Sequence, residues 1–144
     1  MFQSTIVRDE TRIFLSGHGW KRITRTLVRA RKHLKLSGEL GVTFVQDDRM
    51  QTFGQGKTDV LAFPYDDNRS GRDIGDVFIN VDYIKRIRKQ SDWIPRVEEL
   101  VVHALVHLAG HTHNTFTSYE RMRGKERDVL GRPCLPPWNQ RVVF

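Results

Sequence analysis

Cysteine is almost missing from this chain. The lone Cys134 among 144 residues excludes an intramolecular disulfide and any cysteine-rich zinc finger. Long apolar runs are missing as well: none approaches the ~20 residues that a membrane-spanning helix needs. The first twenty residues hold Asp9 and Glu10 and no continuous apolar stretch, so no secretory signal is expected. Internal repeats and low-complexity tracts are absent. One cysteine and no visible address fit a reducing compartment, the cytoplasm or an organelle. Acidic residues are missing where bases crowd: Lys21, Arg22, Arg25, Arg29, Arg31, Lys32 and Lys35 share one segment with no acid between them.

What is there suits one domain spanning residues 1–144, large enough for a substantial core without staples. A hydrophobic fraction of 38% beside 28% charged residues is ordinary for a soluble protein. The net charge of +7 favours a polyanionic partner, of which nucleic acid is the commonest. The basic cluster lies on a segment with apolar residues at Trp20, Ile23, Leu27 and Leu34, which predicts an amphipathic helix ending at Ser37–Gly38. Its basic face makes Lys21, Arg22, Arg25 and Arg29 candidate nucleic-acid contacts.

Four of the six histidines fall within His103–His113, which reads His-Ala-Leu-Val-His-Leu-Ala-Gly-His-Thr-His. His103 and His107 are four apart, so on a helix both imidazoles share one face. Gly110 suits a left-handed helix end that turns the chain back, and the turn can bring His113 to the same ion. Three imidazoles leave a fourth position of a tetrahedral Zn²⁺ open, the pattern of a catalytic site. Ni, Cu or Fe also fit such donors. The spacing is that of the metzincin proteases, except that Ala104 stands where their general-base glutamate would be. The site is therefore expected to serve another chemistry than peptide hydrolysis. His111 points elsewhere on a simple turn, and His18 and His33 have no partners in sequence.

Elsewhere the pattern predicts strands at Ser4 to Val7, Leu40 to Val45, Asp59 to Phe63 and Asp76 to Val81, the last the most apolar and central. A turn or short helix follows Gln46, and another short helix carries Tyr83, Ile84 and Ile87. The histidine helix starts after Ser91 or Asp92 with Pro95 in its first turn. Val97, Leu100, Val101, Ala104, Leu105 and Leu108 form its core stripe, with His103 and His107 along the margin. A last helix runs to Leu130, and residues 131–144 form a non-helical tail rich in proline. Strands cluster early and helices late, which predicts an α+β domain with one mixed sheet of about four strands and a helical layer.

Two motifs together resemble the YbeY family of metal-dependent endoribonucleases. The window from His103 to His113 is similar to the family's H-G-x-x-H-L-x-G-x-[DT]-H. Thr58-Asp59-Val60-Leu61-Ala62-Phe63-Pro64 is similar to its T-[DN]-V-L-S-F-P, and Gly75-Asp76-Val77 falls where the family has an L-G-D-I strand start. The resemblance runs from about Ser4 to Leu130. It implies an α+β fold, a zinc-type ion on His103, His107 and His113, and cleavage of single-stranded RNA. It also implies a link to ribosomal RNA maturation and the small ribosomal subunit. Activated water or a 2′-hydroxyl would attack the phosphodiester.

Four departures from the family pattern stand out. Ala104 replaces Gly, small for small. Thr112 replaces an Asp that could stand behind a ligand. Ala62 replaces Ser or Thr. Phe53-Gly54-Gln55-Gly56-Lys57 is shorter than the family's arginine-bearing stretch, which leaves Lys57 or Arg49 as candidate phosphate contacts. A lysine lacks the bidentate fork of arginine. Two other functions stay open: a non-catalytic, metal-containing RNA-binding ribosome-assembly factor, and a metallopeptidase or amidase.

Overall fold

The computed structural model describes residues 3–11, 17–54, 58–64, 73–110 and 115–134. Buried residues alternate with less buried ones along two strands, and two further strands flank them. In chain order these are β1 (Gln3–Asp9), β2 (Gly38–Val45), β3 (Val60–Pro64) and β4 (Asp73–Asn80). Their order in the sheet is β1-β2-β4-β3. β1 and β4 pair parallel with β2, while β3 pairs antiparallel with β4. The sheet is thus mixed and four-stranded with β4 interior, as expected, and β1 at one edge.

The β1–β2 crossover is α1 (Gly17–His33), whose Ile23, Leu27 and Ala30 are buried at helical spacing. The helix stops earlier than the expected Ser37–Gly38. Lys35 takes a left-handed φ of 57°, and Leu36 N–H bonds back to Arg31 O at 2.9 Å. That pairing is a Schellman stop with lysine in the glycine position. Arg31 is itself buried; it bonds Thr5 Oγ1 at 2.6 Å and the carbonyls of Leu36 and Gly38, tying the helix end to β1 and β2. Burial pushes its pKa down.

Short α2 (Asp47–Thr52) lies on the other face of the sheet. There Val45, Met50 and Leu61 make a small second core with Phe53 and Phe78. α3 (Val81–Ile87) follows β4 directly, its first turn capped by the Asn80 side chain, which accepts from Asp82 N and Tyr83 N. A 3-10 turn (Gln90–Asp92) leads into α4 (Trp93–Leu108), and α5 (Phe116–Leu130) closes the described chain. Asp92 occupies the N-cap position of α4, as expected, but its side chain makes no capping bond. α5 carries a capping box between Thr115 and Ser118 and ends on Gly131 at φ 73°.

The main core fills the space between one sheet face and α1, α4 and α5. α4 is the middle of this layer and is buried from Arg96 through Val106. A helix surrounded on all sides must bury its polar residues too, and each needs a partner. Arg96 reaches Asp59 Oδ2 at 3.1 Å and Glu99 Oε1 at 3.2 Å. Arg132 holds Glu99 at 2.7 Å, and Arg22 holds Glu98 at 2.7 Å. Thr26 donates to Glu98 at 2.6 Å. These links join α1, α4, the start of β3 and the residues after α5 into one frame. The Thr58–Pro64 motif therefore serves the fold through Asp59. Burial opposes the Arg132 charge, but Glu99 and Glu98 together outweigh it and raise the Arg132 pKa.

Candidate metal centre

The last turn and a half of α4 carries His103 and His107. Both sit on one helix, one turn apart, so their side chains project in nearly the same direction. His103 differs from its expected place on the margin of the apolar stripe. It is 2% exposed, because α5 covers that side of α4. His107 is half-buried and does lie at the margin.

His103 Nδ1 stands 2.6 Å from Glu126 Oε1 on α5, both groups buried. A carboxylate only accepts, so Nδ1 carries the proton and donates to it. In the neutral ring Nε2 then keeps its lone pair on the opposite side. This is the arrangement in which histidine ligates metals, one nitrogen toward the ion and the other donating to a carboxylate. The donor set therefore fits a borderline cation such as Zn²⁺.

α4 ends where the motif predicts. Ala109 N bonds Leu105 O at 2.9 Å and Gly110 N bonds His107 O at 3.0 Å. Gly110 has φ +104°, a conformation rarely adopted by residues with a side chain. His113 and His111 lie outside the described residues, as do Thr112 and Lys57. Among the described residues no group of three metal-ligating side chains occurs; two of the three expected ligands are described. Beside the end of α4, Leu108 packs on Gly75 of β4, where an added Cβ would lie 3.2 Å from Leu108 Cδ2 and 2.5 Å from Phe63 O. The close approach of β3 to β4 at this point depends on glycine.

The other candidate residues are dispersed. Arg49 sits on α2, on the sheet face opposite α4. Its guanidinium lies 5.7 Å over the Phe53 ring, and its Nε is 3.7 Å from Glu10. Lys21, Arg25 and Arg29 are exposed on α1, beside Trp20 and Val28. Arg22 is half-buried and commits Nε and Nη2 to Glu98. The basic cluster is therefore not one solvated face: Arg22 and Arg31 are structural members of it. Ala104 is fully buried in the core, so that position has neither a carboxylate nor open space beside the histidines.

Sequence reasoning missed Glu126. A signal was available: Glu126 falls four after Met122 and three before Val129, on the buried stripe of α5. An acid on an apolar stripe requires a buried partner.

A sequence profile described as Endoribonuclease YbeY matches residues 7–132. A protein named Endoribonuclease YbeY from Chelativorans is 32% identical over 117 residues, covering 73% of this chain and 72% of that protein. The Wolbachia protein of the same name is 36% identical over 76 residues, 51% of this chain and 50% of its own length. The human one is 32% identical over 85 residues, 51% of each chain. A solution structure of a Thermotoga maritima protein shares the fold, with a TM-score of 0.57 at 20% identity over 88% of this chain and 89% of that one.

Proposed function

The chain belongs to the Endoribonuclease YbeY family, and from that premise we propose that it is a metal-dependent endoribonuclease that cuts single-stranded RNA. His103, His107 and His113 would hold one zinc-type ion. When bound, the ion supplies Lewis-acid activation of the attacking oxygen and of the phosphoryl group. Glu126 holds the His103 ring. Gly110 turns the chain so that His113 can join the first two ligands. The cations exposed on α1, Lys21, Arg25 and Arg29, grip the RNA phosphates. Arg22 has less to offer RNA, since Glu98 engages its guanidinium. For the scissile phosphate the choice falls on Lys57 just before β3, because Arg49 stands on the opposite sheet face. The family resemblance suggests ribosomal RNA as substrate, in the context of the small subunit, in the cytoplasm or an organelle.

The observation that carries this reading is the buried carboxylate on His103 Nδ1, with His107 one turn away and a left-handed glycine at the helix end. The burial of Ala104 argues against a peptidase, because the usual base has no place beside the site. The position of Arg49 favours the second reading, a non-catalytic RNA-binding assembly factor, in which a phosphate-stabilising arginine is not required. Elemental analysis of the pure protein and digestion of single-stranded RNA, each with His107→Ala as control, decide between them. The nuclease reading expects zinc and cleavage in the natural protein and loss of both in the variant. Cleavage that survives loss of metal refutes it. RNA bound in a salt-dependent way but left intact with Zn²⁺, Mn²⁺ or Mg²⁺ supports the assembly factor.

A further inference from the structure

Four acids are buried in the described structure: Asp59, Glu98, Glu99 and Glu126. Asp59 and Glu99 face Arg96, and Glu98 and Glu99 face Arg132, with Arg22 also on Glu98. Glu126 is different. In a chain with 24 lysines and arginines against 17 acids, its counterpart is a histidine. Oε1 meets His103 Nδ1, and Oε2 is buried and makes no hydrogen bond among the described residues. An arginine would satisfy a buried carboxylate better if packing α5 on α4 were its whole purpose, since its fork occupies both oxygens. A histidine as partner leaves one carboxylate oxygen unmatched while fixing one ring nitrogen.

We infer that Glu126 is the positioning residue of the metal centre: its carboxylate locks His103 as the Nδ1-protonated tautomer and turns Nε2 toward the ion. This rests on the three-histidine reading above. The carboxylate comes from α5, 23 residues along the chain, so the ring's orientation depends on the packing of α5 against α4. With the ring fixed before metal arrives, less conformational freedom is lost on binding.

The test uses the full chain as wild type, Glu126→Gln and Glu126→Met. Zinc affinity is measured by competition with a chromophoric chelator. The tautomer of the neutral His103 ring is read in the metal-free proteins from proton–nitrogen correlation spectra. Near-ultraviolet circular dichroism checks packing. The wild type is expected to show Nδ1–H. Glutamine, whose amide oxygen still accepts, keeps that tautomer and most of the affinity. Methionine, of similar volume, releases the tautomer and weakens zinc binding by roughly 10–100-fold. A folded methionine variant that binds zinc as tightly as wild type overturns the inference, and so does an Nε2-protonated ring in the wild type. If methionine prevents folding, the glutamine variant decides: a changed tautomer with unchanged zinc affinity overturns the inference, and retention of both supports it. A wild type that binds no zinc refutes the metal reading itself, an outcome distinct from zinc binding that is indifferent to residue 126.

Discussion

Arg96→Met tests whether the frame around α4 holds as the geometry says. Arg96 and Glu99 are each 1% exposed and Asp59 4%, so none of the three charges is solvated. The guanidinium lies 3.1 Å from Asp59 and 3.2 Å from Glu99. Methionine fills most of the aliphatic volume but removes the charge. Glu99 retains Arg132 at 2.7 Å, whereas Asp59 loses its cation inside the core. Breaking a buried pair from one side costs about 3–5 kcal/mol, because the remaining charge is left uncompensated. That is a large share of the ~5–15 kcal/mol that stabilises a typical domain. With a urea dependence near 2 kcal/mol per M, the unfolding midpoint should fall by about 2 M. Adding Asp59→Leu should restore part of the loss, since the stranded carboxylate goes with it. Urea titrations followed by far-ultraviolet circular dichroism measure all three variants. A loss below about 1 kcal/mol for Arg96→Met, or a double variant as unstable as the sum of the singles, refutes the account.

Other perturbations reach different parts of the molecule. Gly75→Ala pushes a methyl into Phe63 O and Leu108 Cδ2, so a destabilisation of about 1–3 kcal/mol is expected in thermal or urea unfolding, together with weaker zinc uptake at the adjoining end of α4. Unchanged stability would show that β4 yields there. The Asp47 carboxyl is held below its ordinary range chiefly by its hydrogen bond with Arg86. A lowered folded value gives stability that is complete above the unfolded pKa of about 3.9 and lost as the pH falls through the folded one. Asp47→Asn should therefore flatten the acid limb of the urea midpoint against pH, modestly because the pair is exposed; an unchanged limb contradicts it. Arg25→Ala with Arg29→Ala should lower the slope of log affinity against log salt for single-stranded RNA by about 1.4, at 0.7 per lost phosphate contact. An unaltered slope removes α1 from the RNA surface.

The fold was legible wherever one face of an element is dry and the other wet. The β-rich run Leu40 to Val45 and the spacing of Ile23 and Leu27 announce buried faces directly, whereas Trp20 on the same expected stripe is 41% exposed. Periodicity failed on α4. Because α4 is enclosed by the sheet, α1 and α5, nearly every position is buried, and the apolar stripe carries no information about which side is margin. Thus His103 looked peripheral in sequence and is internal in space. The end of α1 was misplaced for a local reason. Glycine is the usual residue at a left-handed helix stop, so Gly38 drew attention, while Lys35 adopts φ 57° instead.

The site shows the same division between local and non-local information. The spacing of His103, His107 and Gly110 is a property of one helix and its end, and can be read from eight consecutive residues. The basic cluster also looked local, yet its members separate by what lies across from them: Glu98 draws in Arg22, and the start of β2 draws in Arg31. Charge alone cannot distinguish a lysine awaiting phosphate from an arginine balancing a buried acid. Burial of the acids makes the distinction possible. Glu98 and Glu99 on α4 call for cations from α1 and from beyond α5, whereas Glu126 on α5 calls for a proton from His103. The four buried carboxylates among the described residues thus serve two tasks. Three anchor the scaffold through arginine, and the fourth faces a ring whose orientation a metal site would need to fix.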